Sequence, residues 1–225
     1  MNTLKLSALA LALSLGLNLE VGAKEYTVLL DKSGSSPLFI SEEFKEASIN
    51  YLGMRVGEMN EGDVIIVRAF GSLDVAANMK VKPLYIKRHN KKKVARILAR
   101  IIKHSGKADS VQNATNLHAW FGRNKLDCKN GAELIALTDG IESSEYISAT
   151  HLLNGTKTLP KVHSNANLAG CNIHYFGIGL GRSDKETTVL RKAWNTYFKS
   201  ALKTTFFKFS VLNLYHKSLK TRPLR

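Results

Sequence analysis

Residues 25 to 35 read EYTVLLDKSGS. The apolar run from Glu25 to Leu30 is too short for a helix, ends on Asp31 and is followed by the Gly/Ser/Pro-rich stretch Ser33 to Pro37, so it reads as a first strand, β1. The backbone must turn sharply at Gly34. That turn presents one carboxylate, Asp31, and two hydroxyls, Ser33 and Ser35, toward a point beyond the strand end.

Outward from this strand the pattern alternates. Ser41 reads as an N-cap with Glu42 and Glu43 in the first turn, opening a helix whose apolar face is expected to run through Phe44, Ala47, Tyr51, Met54 and Met59. Val64 to Val67 is a continuous β-branched run, as in a strand covered on both faces, and Val81 to Ile86 reads as a more polar edge strand. Lys92 to His104 places Val94, Ile97, Leu98, Ile101 and Ile102 at helical spacing. A helix over Asn116 to Asn124, a buried strand over Glu133 to Leu137, a strand over Asn172 to Ile178 and an amphipathic helix over Lys185 to Leu202 complete the series. Strands alternating with helices imply an α/β fold: a doubly wound, mostly parallel central sheet with helices on both faces. In such sheets sites lie at the carboxyl ends of the strands, where Asp31, Thr115 and Asp139 fall.

Composition agrees with one sizeable domain. With 44% hydrophobic residues in 225 the chain can bury a core, which excludes an intrinsically disordered protein. The single membrane-like segment is N-terminal: Lys5, the apolar run Leu6 to Leu19 and Val21-Gly22-Ala23 read as a secretory signal cleaved after Ala23, shorter than the ~20 residues of a spanning helix. The expected organisation is therefore a signal peptide over 1–23, a domain over 24–202 and a basic tail over 203–225. Export to the periplasm or the outside of a bacterium follows from that reading. The 33 Lys plus Arg against 18 Asp plus Glu leave +15, with eight cations between Lys87 and Lys103 and six in the tail. A solvated helix face is the ordinary account of the first cluster, and an anionic polymer or membrane surface is the other.

Asp31, Ser33 and Ser35 of the DxSGS stretch, Thr115 of ATNL and Asp139 of TDG bring hard oxygen donors together, the chemistry of a Mg²⁺-type ion. In that order the three motifs resemble the von Willebrand factor A (vWA) domain and its metal-ion-dependent adhesion site (MIDAS). The similarity runs from about Tyr26 to Ala201. It implies Ser33 and Ser35 as direct ligands of Mg²⁺, with Mn²⁺ or Ca²⁺ as alternatives, and Asp31, Thr115 and Asp139 completing the site. Two carboxylates merely balance a divalent ion and leave it electrophilic, so an Asp or Glu of a partner protein can occupy an exchangeable position. The vWA-like strand order would also make the strands after Cys128 and Cys171 parallel neighbours, each cysteine at the amino end of its strand, where a disulfide fits.

Enzyme readings are weaker. A dehalogenase-like phosphatase needs an acid where Ser33 stands, no GxSxG elbow exists, and Gly177 to Gly181 follows the last strand and lacks the third glycine of a dinucleotide fingerprint. The histidines have no zinc-site spacing. The expectation is a non-enzymatic, exported binding protein, with an envelope or transfer-apparatus assembly as context. The competing class is an adaptor that holds an anionic polymer or membrane surface through its basic face and tail, and no specific nucleic acid is expected.

Overall fold

The computed structural model describes residues 22–72, 81–105, 111–124, 126, 128, 131–166, 168–201 and 207–208. The expected signal segment lies outside them except for residues 22 and 23, and so does the tail except for Phe207 and Lys208. The elements are β1 (Glu25–Asp31), α1 (Pro37–Ile40), α2 (Glu42–Glu58), β2 (Val64–Phe70), β3 (Leu84–Tyr85), α3 (Lys91–Ser105), α4 (Leu117–Arg123), β4 (Glu133–Leu137), α5 (Ala149–Leu153), β5 (Asn172–Phe176), α6 (Asp184–Ala201) and β6 (Phe207–Lys208). They form one sheet in the order β3-β2-β1-β4-β5-β6. Every pairing is parallel except β2 with β3. This is the doubly wound α/β architecture that the alternation implies.

Alternate strand residues feed two apolar layers. Leu29, Leu134, Ala136, Ile173 and Tyr175 face α4 to α6, packing on Leu117, Phe121, Leu152, Leu190, Trp194 and Phe198. Val28, Leu30, Ile65, Val67, Ile135 and Leu137 face α2 and α3, packing on Phe44, Leu52, Val56, Val94, Leu98 and Ile102. Successive side chains of a strand point to opposite sides, so one apolar run serves both layers.

Several expectations shift. The buried line of α2 is Phe44, Ser48, Leu52 and Val56, an i, i+4 row, whereas Met54 is 55% exposed. Ser41 does cap this helix, its Oγ accepting from the N–H of Phe44 at 3.1 Å. In β2 burial alternates, with Ile65, Val67 and Ala69 inside and Val64, Ile66 and Arg68 half-buried, because the second helical layer stands chiefly over β1, β4 and β5. The edge strand after β2 shrinks to Leu84–Tyr85. The helices α1 and α5, of four and five residues, escape the sequence reading because they are too short to show a period. At the other edge Phe207–Lys208 of the expected tail pairs with Ile173 and His174 of β5 as a short strand.

Cys128 and Cys171 form a disulfide with Cα atoms 4.6 Å apart. The bond sits at the amino ends of β4 and β5, which pair from Glu133 with Asn172 to Leu137 with Phe176. It crosslinks a separation of 43 residues in the chain. Cys128→Ser is expected to lower stability by roughly 2–4 kcal/mol while leaving any metal affinity of the folded fraction unchanged. Thermal melts and metal titrations of the variant check both halves, and metal binding lost with the fold intact would be the contrary result.

Candidate metal site

β1 and β4 lie side by side in parallel, and they are where the winding reverses: the chain leaves β1 for α2 and β2 on one side, and β4 for α5 and β5 on the other. The carboxyl ends of these two strands therefore open a crevice. Asp31 ends β1. Asp139 lies two residues beyond the end of β4.

The structure joins the three predicted loops by backbone pairing. Ser33 and Gln112 form a parallel bridge, with the N–H of Gly34 donating to the Gln112 carbonyl (3.1 Å) and the N–H of Gln112 to the Lys32 carbonyl (2.8 Å). Thr115 and Ser143 exchange two backbone bonds of 3.0 Å, tying the Thr115 loop to the segment after Asp139. The N–H of Asn116 donates to the Gly71 carbonyl at 2.9 Å, adding the end of β2. Gly71 has no room for more: a Cβ there would stand 2.1 Å from Oε1 of Gln112.

Asp31 is fully buried. Its Oδ1 accepts from the N–H of Ser33 (2.8 Å) and its Oδ2 from Oγ1 of Thr138 (2.6 Å). The Oγ atoms of Ser33 and Ser35 are 3.5 Å apart. Asp139 is buried too, with Oδ1 accepting from the N–H of Ile141 at 3.0 Å. Thr115 is buried in its loop, and Ser35 is half-exposed. Gly140, at φ +76, makes the turn that carries Asp139 past the strand, and a Cβ there would meet Ile178 at 2.8 Å.

Burial raises the pKa of Asp31 above its ordinary value, against the hydrogen bonds from Thr138 and Ser33. Burial, and then the charge of Asp31, push Asp139 up to about 7, against the hydrogen bonds from Ile141 and Ser35 and the more distant charge of Arg182. Among the described residues no Lys, Arg or His forms an ion pair with either carboxylate. Two buried carboxylates, both raised by burial and one raised further by the other, bordered by hydroxyls and lacking a basic ion-pair partner, are a site short of positive charge. Such a donor set fits a hard divalent cation. No cluster of three His, Cys, Asp or Glu side chains suited to a metal occurs among the described residues, so this oxygen chemistry depends on Ser and Thr as well as Asp.

Sequence reasoning overlooked four contributors. Thr138 holds Asp31, Gln112 clasps the first loop, and Trp194 of α6 donates from Nε1 to the Gly140 carbonyl at 2.7 Å. Glu142 is wholly buried, accepts from the N–H of Leu117 at 2.9 Å, and is pushed by burial up to about 8. Of these, Thr138 alone carried a visible signal, standing inside the TDG motif. A buried Glu in a turn looks like any exposed turn acid until its neighbours are known.

No protein-family model and no curated protein matches the chain. Among solved structures, the chain is similar to the pilus adhesin SpaC of Lactobacillus rhamnosus GG in its open conformation, with 16% identity and a TM-score of 0.49, over 88% of this chain and 30% of that one. It is similar to proximal thread matrix protein 1 of the mussel byssus, a structure whose MIDAS motif holds zinc, with 14% identity and a TM-score of 0.46, over 88% and 46% of the two chains. A von Willebrand factor type A structure from Catenulispora acidiphila aligns with 16% identity and a TM-score of 0.43, over 87% and 41%. The chain thus spans less than half the length of each.

Proposed function

We propose that the protein is an exported binding protein that takes a divalent cation, Mg²⁺ in the first place, at Asp31, Ser33, Ser35, Thr115 and Asp139, and through it grips an Asp or Glu of a partner protein. The observation that carries this reading is the buried Asp31 and Asp139 pair at adjacent strand ends with no basic partner among the described residues. A bound divalent ion would neutralise both carboxylates, and the serine and threonine hydroxyls would add neutral donors. With its charge only balanced, the ion keeps affinity for a further carboxylate. The chain's own residues would hold and orient: Thr138 and the N–H of Ser33 fix both oxygens of Asp31, and the loop paired at Ser143 would supply Thr115.

The disulfide supports export, since such bonds persist in oxidising compartments. Among the described residues no helix is long and apolar enough to cross a membrane. A binding role rather than catalysis is the reading we favour, with the carboxylates beside the two serines, Asp31 and Asp139, assigned to the cation. An envelope or surface assembly is the context we propose for the partner.

Calorimetric titration with Mg²⁺ and Mn²⁺ tests the site. Ser33→Ala combined with Ser35→Ala removes two ligands and should weaken binding beyond the ~10- to 100-fold typical of outer-shell changes, with the fold kept. Undiminished binding in the folded double variant would discard the site. Capture of a partner from envelope extract in Mg²⁺ but not in EDTA then tests the gripping step.

A further inference from the structure

We propose that the outer face of α3 is a docking surface for an anionic lipid leaflet, which holds the domain along this side. Every exposed position on this helix is basic: Lys92, Lys93, Arg96, Arg100, Lys103 and His104. No acidic residue occurs between Asp74 and Asp109. Among the described residues no ion pair reaches α3 from any neighbour, and two acids of α2, Glu42 and Glu58, pair with Lys45 and Arg55 of their own helix. The helix runs about 22 Å at ~1.5 Å per residue, so the cations form a continuous stripe.

A merely solvated face does not account for this arrangement. Lys92 with Arg96, Arg96 with Arg100, and Arg100 with His104 are i, i+4 neighbours that repel whenever charged. Lys91, Lys92 and Lys93 crowd the positive end of the helix dipole, with no acid in the first turn. Solubility alone is served better by mixed signs. The helix forms because Val94, Leu98 and Ile102 bury its inner face, and the outward charge is a standing cost that a polyanion would offset.

The occupant follows from chemistry and placement. The apolar residues of α3 are spent on the core and none is exposed, so contact stays at the level of headgroups. The helix begins where the chain enters the sheet. Nζ of Lys91 donates to the Gly57 carbonyl (2.9 Å), the N–H of Ile86 donates to Asp63 (2.8 Å), and the N–H of Lys24 donates to Oδ1 of Asp63 (2.9 Å). Exposed Lys87 and Arg88, just before the helix, extend the stripe beyond Lys92 and Lys93. The far end of α3 reaches the loop after β1, where Nζ of Lys32 donates to the Ser105 carbonyl at 2.7 Å, so the stripe runs along the side of the domain. The disulfide, a mark of oxidising compartments, disfavours nucleic acid as the polyanion.

The test is flotation of the full chain with phosphatidylcholine vesicles, with and without about one third phosphatidylglycerol. Lys92→Glu, Arg96→Glu and Arg100→Glu together should remove the gain due to anionic lipid, a loss of about tenfold or more in partitioning, without lowering the melting temperature, because the repulsions are relieved. Lys157→Glu, Lys161→Glu and Lys185→Glu make the same change of net charge on other exposed positions and should keep most of the gain. Raising salt should abolish the gain, and EDTA should not, which separates this surface from the metal site. Equal losses in both triple variants, or no loss in either, would overturn the proposal. So would tighter binding to a short single-stranded oligonucleotide than to the anionic vesicles.

Discussion

In EDTA the protein is expected to become less stable as pH rises from about 4 to about 7, and Mg²⁺ is expected to restore the part of that loss that comes from the metal site. Asp139 titrates at an ordinary 3.8 when unfolded and at about 7 when folded. Between those values the folded state holds a proton that the unfolded state has released, so stability falls with pH through that window and levels off above it. The difference is on the order of 4 kcal/mol once the carboxyl ionises beside Asp31. A divalent ion replaces the proton, so its stabilisation should grow with pH over the same range. Glu142, raised to about 8 by burial, adds a fall in the same direction that Mg²⁺ leaves untouched. Asp139→Asn separates the two. At about pH 7.5 in EDTA this variant should melt above the parent, and it should gain little from Mg²⁺. Urea unfolding at a series of pH values, with EDTA or Mg²⁺, is the measurement. A metal-free parent that grows more stable between pH 5 and 7.5 would contradict the site's electrostatics.

Trp194→Ala is expected to cost about 3–5 kcal/mol. The ring is wholly buried and lies 5.1 Å from Tyr175, 5.3 Å from Tyr197 and 5.6 Å from Phe198, centroid to centroid. Its N–H also satisfies the carbonyl of Gly140, directly after Asp139. Trp194→Phe keeps most of the apolar volume and leaves that carbonyl unpaired, so it should cost less, about 1–3 kcal/mol, yet it should weaken Mg²⁺ binding by loosening the Asp139 turn. Denaturant midpoints with an unchanged slope give the first numbers, and titration gives the second. If the Phe variant bound Mg²⁺ as tightly as the parent, the hydrogen bond would have no part in positioning the site.

Most of the architecture could be read from local pattern alone. Short apolar runs bounded by turn residues located β1, β4 and β5, and Ser41 and Asn116 marked the starts of α2 and α4, because strand period, cap chemistry and turn chemistry are properties of adjacent residues. The parallel order followed from the alternation of strands and helices. Asp31, Ser33, Ser35, Thr115 and Asp139 stood out as oxygen donors at strand ends for the same reason.

What the tertiary structure decided concerns contacts between segments far apart in the chain. The inward row of α2 depended on which side of the helix met the sheet, and local periodicity left Met54 and Leu52 as rivals for it. The backbone bridges of Ser33 with Gln112 and Thr115 with Ser143, the tie from Thr138 to Asp31 and the anchor from Trp194 to Gly140 join residues dozens of positions apart. The burial of Asp31, Asp139 and Glu142 depends on those same neighbours. A carboxylate's charge state is set by how much water the surrounding chain excludes and which charges it brings near, and no stretch of sequence carries that information by itself.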